Sequence, residues 1–505
     1  MFFHRKYTNK KAEKLPASLN VKKIKHQLET ELQNSSDLIF RELELSGKKI
    51  LITYLKSLVG SQQLNENVIA VIQSMPPKEI NYQSISNSLH LGEVKITGNI
   101  KEIVSGLVTG KAFIYAEENP FGILADIYEP ASRSLERAET ESLVYGPKLS
   151  FTDSIQQNLN IVRATIDNTK LCVEEITVGT RVKTTTYLMY IADIADTEVV
   201  QTFRQRITDI DIDYVQDASV LAQLIEDNSL SVFPQLTTTE LPDRFAQNLL
   251  NGRVGLLVDR SPIAITGPST FLSFFSSTED MYMRWNLGTS MRLLRLLGIF
   301  ISVLLTPAYV AVITFHYEVI PSPLLTSIGQ SRAKVPFPPI FEALLLEFFI
   351  ELLREAGARL PTKVGQTMGI VGGIVIGQAA VEAGFTSNIL IIIIAISALG
   401  SFTCPSYLMG TAIRFIRFPI IILAGVLGGI GIMFSFCFIL IHLLKLTSLG
   451  QPYLYPLYPM RPRDFKYSFF REPMHKYALR PLVSRIKDSQ KSPKEKSKKR
   501  KDIDE

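Results

Sequence analysis

The sequence is poor in the residues that do chemistry. Its three cysteines, Cys172, Cys404 and Cys437, form no CxxC pair and no evident disulfide framework, which excludes a stapled secreted scaffold and fits a reducing compartment. Six histidines are scattered, with no pair at metal-ligand spacing. No GxSxG, HExxH or protein-kinase set occurs. Residues 106–111 (GLVTGK) resemble a phosphate-binding loop but are one spacer short, and Ala112 stands where a hydroxyl would hold Mg²⁺. Asp209, Asp211 and Asp213 alternate with isoleucines, so on a strand they share one face, as a cation site or, more simply, a solvated edge. The reading is of a chain that is not an enzyme, with no catalytic residue, cofactor or metal. The first thirty residues carry eight Lys and Arg but no apolar core, so they are not a secretory signal.

Charge is also missing, from four long runs: 296–315, 364–381, 385–413 and 418–441. About 20 apolar residues at about 1.5 Å rise cross a hydrocarbon layer. A soluble core helix rarely stays uncharged so long, because one face meets water. The expected architecture is an α/β cytoplasmic region of two related subdomains plus an all-α polytopic membrane domain. Its parts are a basic disordered leader (1–30), a first α/β subdomain (31–145), a second with its joint (146–284), a helical transmembrane domain (285–446) and a basic cytoplasmic tail (447–505).

In the soluble part, 31–45 reads as a short amphipathic helix, 50–55 as a buried strand and 66–74 as a helix stopped by Pro76-Pro77. Residues 151–166 have helical spacing, with Ile155, Leu159 and Val162 on one face. Pro234 and Thr237–Thr239 mark a loop, Pro242 opens a helix, and 271–284 is a joint leading to an interfacial Trp285. A weak repeat runs through both halves. Gly110 and Gly252 each precede a strand and, ten residues on, a turn proline, Pro120 or Pro262. Earlier in each half a strand carrying Tyr54 or Tyr190 precedes a helix. The offsets are 136 at the tyrosines and 142 at the glycines, which favours two related units.

The stretch ELPDRFAQNLLNGRVGLLVDRSPIAITGPSTF (240–271) resembles the signature of the A subunits of GerA-type spore germinant receptors. It contributes Glu240, Pro242, Asp243, Arg244, Gly252, Arg253, Asp259 and Pro262. Residues 146–163 and 173–179 (VEEITVG) are similar to the same family, as is the apolar block; Lys148 departs from it, where arginine is expected after the Gly-Pro pair. The resemblance implies an endospore inner-membrane protein without catalysis, acting with a transporter-like B subunit that binds the nutrient and a lipoprotein C subunit. It also implies ion release early in germination, with no nucleic acid involved. Other readings are a stage V sporulation protein AF-like paralogue, a secondary solute transporter and a membrane scaffold without conductance.

Residues 461–505 hold fifteen Lys/Arg and seven Asp/Glu, a balance of +8 that places the tail on the cytoplasmic side with the α/β region. Both ends inside need an even number of crossings, and four fits the four runs. That count leaves Arg414 and Arg417 outside. A crossing by 339–357 would move them inside, but only if 418–446 forms a hairpin. Two features are candidates for a pore or gate. Glu347, Glu351 and Glu355, with Glu342 before them, form an acidic stripe, read either as an interfacial helix with its acids in water or as the lining of a cation path. Gly369, Gly372, Gly373 and Gly377, with Gly365, have small-xxx-small spacing, read either as close helix packing or as a pore-facing wall. Several copies around an axis would allow both.

Overall fold

The computed structural model describes residues 20–473, apart from 46, 77–79, most of 131–144 and most of 362–376, together with a few positions between 479 and 490. Residues 1–19, Gly365, Gly369 and the chain after 490 lie outside the described residues, with the expectations made for them.

The first two-thirds of the described chain forms two five-stranded antiparallel sheets. Strands β1 (Leu38–Leu45), β2 (Lys48–Leu55), β3 (Val94–Thr97), β4 (Lys111–Ala116) and β5 (Gly122–Asp126) lie in the order β1-β2-β4-β5-β3. Strands β6 (Leu171–Val178), β7 (Thr184–Ile191), β8 (Thr237–Thr239), β9 (Val254–Val258) and β10 (Ala264–Gly267) lie in the order β6-β7-β9-β10-β8. Alternating side chains serve opposite faces of each sheet. Leu51, Phe113 and Leu124 pack on the helices Val21–Glu31 and Ile100–Val108, while Ile50, Ile52 and Ile114 pack on Val68, Ile72 and Ile85. In the second sheet, Tyr187, Met189 and Leu257 meet Leu159, Val162 and Phe245, while Leu188, Leu256 and Ile265 meet Val199, Val200 and Phe203.

The two units agree residue by residue. Ile50↔Ala116 and Ile52↔Ile114 in the first sheet correspond to Thr186↔Val258 and Leu188↔Leu256 in the second, at offsets of 136 and 142. Ile114↔Ile123 and Ile96↔Ile123 become Leu256↔Ile265 and Thr238↔Ile265, all at 142. The helices Ile100–Val108 and Pro242–Leu250 differ by the same 142 at both ends. Gly110 and Gly252 both adopt positive φ, 87° and 85°, at the helix-to-strand turn. That turn also settles residues 106–111. They run from helix to strand, the reverse of a phosphate-binding loop, and Lys111 pairs with Glu93 at 2.7 Å.

Several expectations fail locally. Residues 31–45 are not a helix: Leu38–Leu45 is the edge strand β1, whose Leu and Phe positions serve a sheet rather than a helix face. The leader is not wholly disordered, since Val21, Ile24 and Leu28 bury one face of a helix in the first core. Thr237–Thr239 is strand β8, not a loop, because Thr suits a half-covered ladder. Asp209 caps a helix and Asp213 meets Arg181 at 3.3 Å on the surface, so the three aspartates share no strand face. Among the described residues no His/Cys/Asp/Glu group is placed to hold a metal.

The last third is helical: Trp285–Phe315, Ser322–Arg332, Pro339–Arg359, Asn388–Ser401, Tyr407–Leu427 and Gly429–Lys445. Among the described residues two helices, Trp285–Phe315 and Tyr407–Leu427, are long and apolar enough to cross a membrane; Asn388–Ser401 and Gly429–Lys445 are shorter apolar helices. The helix ends differ from those read in the sequence. The run 385–413 breaks after Ser401, and the Tyr407 helix passes through Arg414, Arg417 and Pro419 without stopping. It turns at Gly428 (φ 64°), where Gly429 N–H donates to His316 at the far end of the Trp285 helix. The Gly429 helix then runs back to the sheets. After Lys445 the chain docks on the second unit: Thr447, Leu449 and Gly450 all donate to Asp227, and Tyr453 is buried. So the beginning of the tail is not a free arm.

One helix crossing admits no side chain. A Cβ on Gly400 would fall on the carbonyl oxygen of Gly298 in the Trp285 helix. Gly400→Val is therefore expected to destabilise at or above the upper end of the about 1–3 kcal/mol of overpacking. Gly373→Val, where a Cβ meets nothing within 4 Å, should leave the melting temperature of the purified protein near its starting value.

Candidate functional site: charge held inside the helical half

The Pro339–Arg359 helix begins with proline in its first turn, and its acids follow at 342, 347, 351 and 355. The four-residue spacing of the last three puts them on one face. The structure buries the first of the three, half-covers the second and leaves the third exposed. Glu347 is 1% exposed, and its two carboxylate oxygens accept from Arg417 Nη1 at 2.8 and 2.7 Å. Thr306 Oγ1 donates to Glu347 at 3.0 Å. Arg417, 2% exposed, also donates to Ser397 Oγ at 3.1 Å and Ser302 Oγ at 3.3 Å. Four helices thus converge on one ion pair: the Trp285 helix with Ser302 and Thr306, the Pro339 helix with Glu347, the Asn388 helix with Ser397 and the Tyr407 helix with Arg417.

Other pairs flank this one along the helix. Toward the Gly428 end, buried Glu342 meets Arg332 at 2.9 Å and accepts from the Ser387 N–H at 3.3 Å. Toward the sheets, half-buried Glu351 meets Arg354 at 3.0 Å and Arg414 at 3.3 Å. Glu355 is exposed and pairs with Arg359 on its own helix. Four glutamates therefore face five arginines. This corrects both readings of the stripe: Glu342 and Glu347 are not in water, and the stripe is not an open acidic lining in this arrangement. A carboxylate withdrawn from water without a partner costs several kcal/mol, and each buried one has recruited a guanidinium. Glu355→Gln, by contrast, should change stability by no more than about 0.5 kcal/mol in thermal unfolding, the value of an exposed helical pair.

The glycines do not pack as a block. A Cβ on Gly372 would meet Leu353 Cδ2 at 2.8 Å, but one on Gly373 or Gly377 would meet nothing within 4 Å. These two line an apolar groove of about 190 Å³ with Leu346, Phe349 and Ile394.

At the joint, Pro242 opens its helix, Asp243 accepts from the Tyr282 hydroxyl at 3.2 Å, and Arg244 pairs with Glu141, which also accepts from Thr239. The Glu240 carbonyl accepts from Phe151 N–H at 2.8 Å, and the Asp259 N–H donates to Thr185 O at 3.0 Å. Gly252 lies against Ile486 and Ile194, with no room for a Cβ, and Pro262 sits in the β9–β10 turn. Arg253 is half-buried and meets Asn248 Oδ1 at 3.4 Å. Asp280, 1% exposed, accepts from Arg292 at 3.0 Å and Arg295 at 3.1 Å, so two arginines of the Trp285 helix are tied to the joint. The structure therefore separates the candidates into two places, the joint and the helical seam. Sequence reading missed Arg417, Arg332, Ser302, Thr306 and Ser397 as partners. The available signal was an arginine between two apolar runs and a glutamate in a third apolar stretch.

Known proteins resemble this chain over most of its length. A family model described as Bacillus/Clostridium GerA spore germination protein matches residues 26–483. Spore germination protein GerQA of Bacillus cereus is 44% identical over 457 residues, covering 90% of this chain and 91% of that protein. Spore germination protein KA of Bacillus subtilis (strain 168) is 38% identical over 449 residues, 88% and 82% of the two chains. A membrane protein of the same organism, YfkQ, is 34% identical over 92% of this chain and 91% of its own. The crystal structure of the N-terminal domain of the A subunit of the Bacillus megaterium spore germinant receptor GerK3 covers 52% of this chain and 99% of that domain, at 26% identity and a TM-score of 0.41.

Proposed function

This chain belongs to the GerA family of spore germination proteins, and on that premise we propose that it is the membrane subunit of a nutrient germinant receptor that gates cation release. It works with a transporter-like B subunit, which binds the nutrient, and a lipoprotein C subunit. Several copies surround a path in the spore inner membrane. The observation that carries this reading is the Glu347–Arg417 pair, a pair of opposite charges held among four apolar helices. Ionisable groups at such depth are costly to place and mark ion pathways and switches. With each acid matched to an arginine, the arrangement is a closed one. Nutrient binding to the partner biases a closed–open equilibrium, and parting the pairs exposes carboxylates to passing cations.

Topology supports the same reading. Helix ends alternate between the level of the sheets and the level of Gly428. Ile340 packs on Gly425 at the far level, and Arg354 reaches Ser401 at the near one. The Pro339 helix therefore returns, and the Tyr407 and Gly429 helices form the hairpin that the basic tail requires. In this reading the sheets, and the stretch from Thr447 to Tyr453 that docks on them, lie on the cytoplasmic side. The test replaces Gly373 with leucine and follows ion efflux from germinating spores with protein level checked alongside. Slower efflux at normal protein level is expected if the groove lines the path. Unchanged efflux at normal protein level would remove the glycines from it.

A further inference from the structure

We infer that the joint between the second sheet unit and the Trp285 helix is a binding site for a phosphate oxyanion. The site is a cavity of about 140 Å³, roughly ten times what one water needs, walled by Arg244, Arg253, Arg292, Asn248, Ser276 and Thr278 among others. Among the described residues no aspartate or glutamate lines it. The carboxylates behind the wall are already engaged, Glu141 by Arg244 and Asp280 by Arg292 and Arg295. Arg253 stands outside these pairs.

Two side chains point to an absent partner. Among the described residues the Arg253 side chain has no carboxylate partner and only the 3.4 Å contact to Asn248 Oδ1. The position 142 residues earlier, Lys111, has one, Glu93 at 2.7 Å. The duplicated unit therefore keeps a cation at this turn and in the second copy turns it toward the cavity. Withdrawal from water, with Arg244 nearby, pushes the Arg253 guanidinium down to about 10, a charge that an incoming anion would relieve. Thr278, 7% exposed, holds its hydroxyl in the wall with no hydrogen-bond partner among the described residues. A buried donor left unmade is rare and costly. A guanidinium fork with a hydroxyl beside it matches a tetrahedral phosphate, which takes several donors at once. The source is either a free phosphate or the headgroup of an anionic lipid, since the cavity adjoins the start of a membrane-length helix.

The full-length protein in detergent micelles, titrated with inorganic phosphate against chloride at fixed ionic strength, should rise in melting temperature with phosphate alone. Arg253→Gln should weaken the apparent affinity at least about tenfold, and Thr278→Val, which keeps shape and removes the hydroxyl, should weaken it several-fold. Nanodiscs of phosphatidylglycerol and of phosphatidylcholine separate the sources. A headgroup occupant makes phosphatidylglycerol stabilise wild type and abolish the further phosphate shift; a free phosphate gives the same shift in both lipids. If Arg253→Gln does not fold, Arg253→Lys, which keeps charge and loses the fork, and Thr278→Val read the same property. No phosphate-specific shift in wild type, or an equal shift in the variants, overturns the inference.

Discussion

Glu347→Gln is expected to cost the protein about 3–5 kcal/mol, the range for stranding one charge of a buried pair. The substitution keeps shape, so packing changes little, and the loss is electrostatic. Arg417 would lose the Glu347 carboxylate, its one acidic partner among the described residues. The serine hydroxyls at 3.1 and 3.3 Å cannot replace that charge. Arg417→Met should also be costly, since it leaves the Glu347 carboxylate unpaired. The double variant Glu347→Gln with Arg417→Met should recover most of the loss, as apolar replacement of a buried pair is often neutral. Thermal melts of the purified protein give the three values, and a double-mutant cycle isolates the coupling. In germinating spores the glutamine variant should slow cation efflux at least tenfold, since a lone buried cation now stands at the seam. Single costs that simply add would show that the pair is not a unit, and normal efflux in the glutamine variant would remove it from the gate.

The second large effect is expected at the seam between the sheet units. Arg163, 1% exposed, donates to both oxygens of Asp37 at 3.1 and 2.8 Å, to Ser35 Oγ at 2.7 Å and to Leu171 O at 3.0 Å. Burial alone would raise the Asp37 carboxyl, but the charge and hydrogen bonds of Arg163, with those of Ser35 and Ser57, hold it below its ordinary value. A carboxyl lowered in the folded state contributes stability that is present above its unfolded value of about 3.9 and is lost as pH falls through the folded one. Arg163→Met should therefore cost about 3–5 kcal/mol at neutral pH by leaving Asp37 unpaired. It should also flatten the acid limb of the stability curve, read by denaturant unfolding of the full chain from neutral to acid pH. A variant that keeps the wild-type acid limb would place that pH dependence elsewhere.

What could be read without the structure depended on the range of the signal. The tyrosine and glycine landmarks lay at offsets of 136 and 142, and the ladders repeat those offsets pair by pair. Strand patterns and turn residues are local, so they survive translation into sequence. Strand β1 did not, because LIFRELEL mixes apolar spacings of three with spacings of two and its partner strand decides between them. The ends of the Tyr407 helix were misplaced for a related reason. Arg414 and Arg417 look like a boundary when hydropathy is summed along the chain. Glu347, 70 residues earlier, makes Arg417 a core residue instead. The joint was visible as a signature, yet what its arginines enclose depends on residues from four separate stretches.

The repeat also records where length has been free to change. Between the two copies the offset is 133 at β1 and β6, 136 at β2 and β7, and 142 at every later strand pair. One copy therefore differs from the other by three residues before the second strand and by six before the third. From Val94 to Asp126, matched with 236–268, no insertion or deletion separates them. The unit behaves as a permissive front followed by a rigid cassette, and the cassette contains the turn that presents Lys111 in one copy and Arg253 in the other. An epitope or fluorophore spliced into the β1–β2 turn falls where drift has already been tolerated. The same splice at the β4–β5 or β9–β10 turn falls where none has been kept.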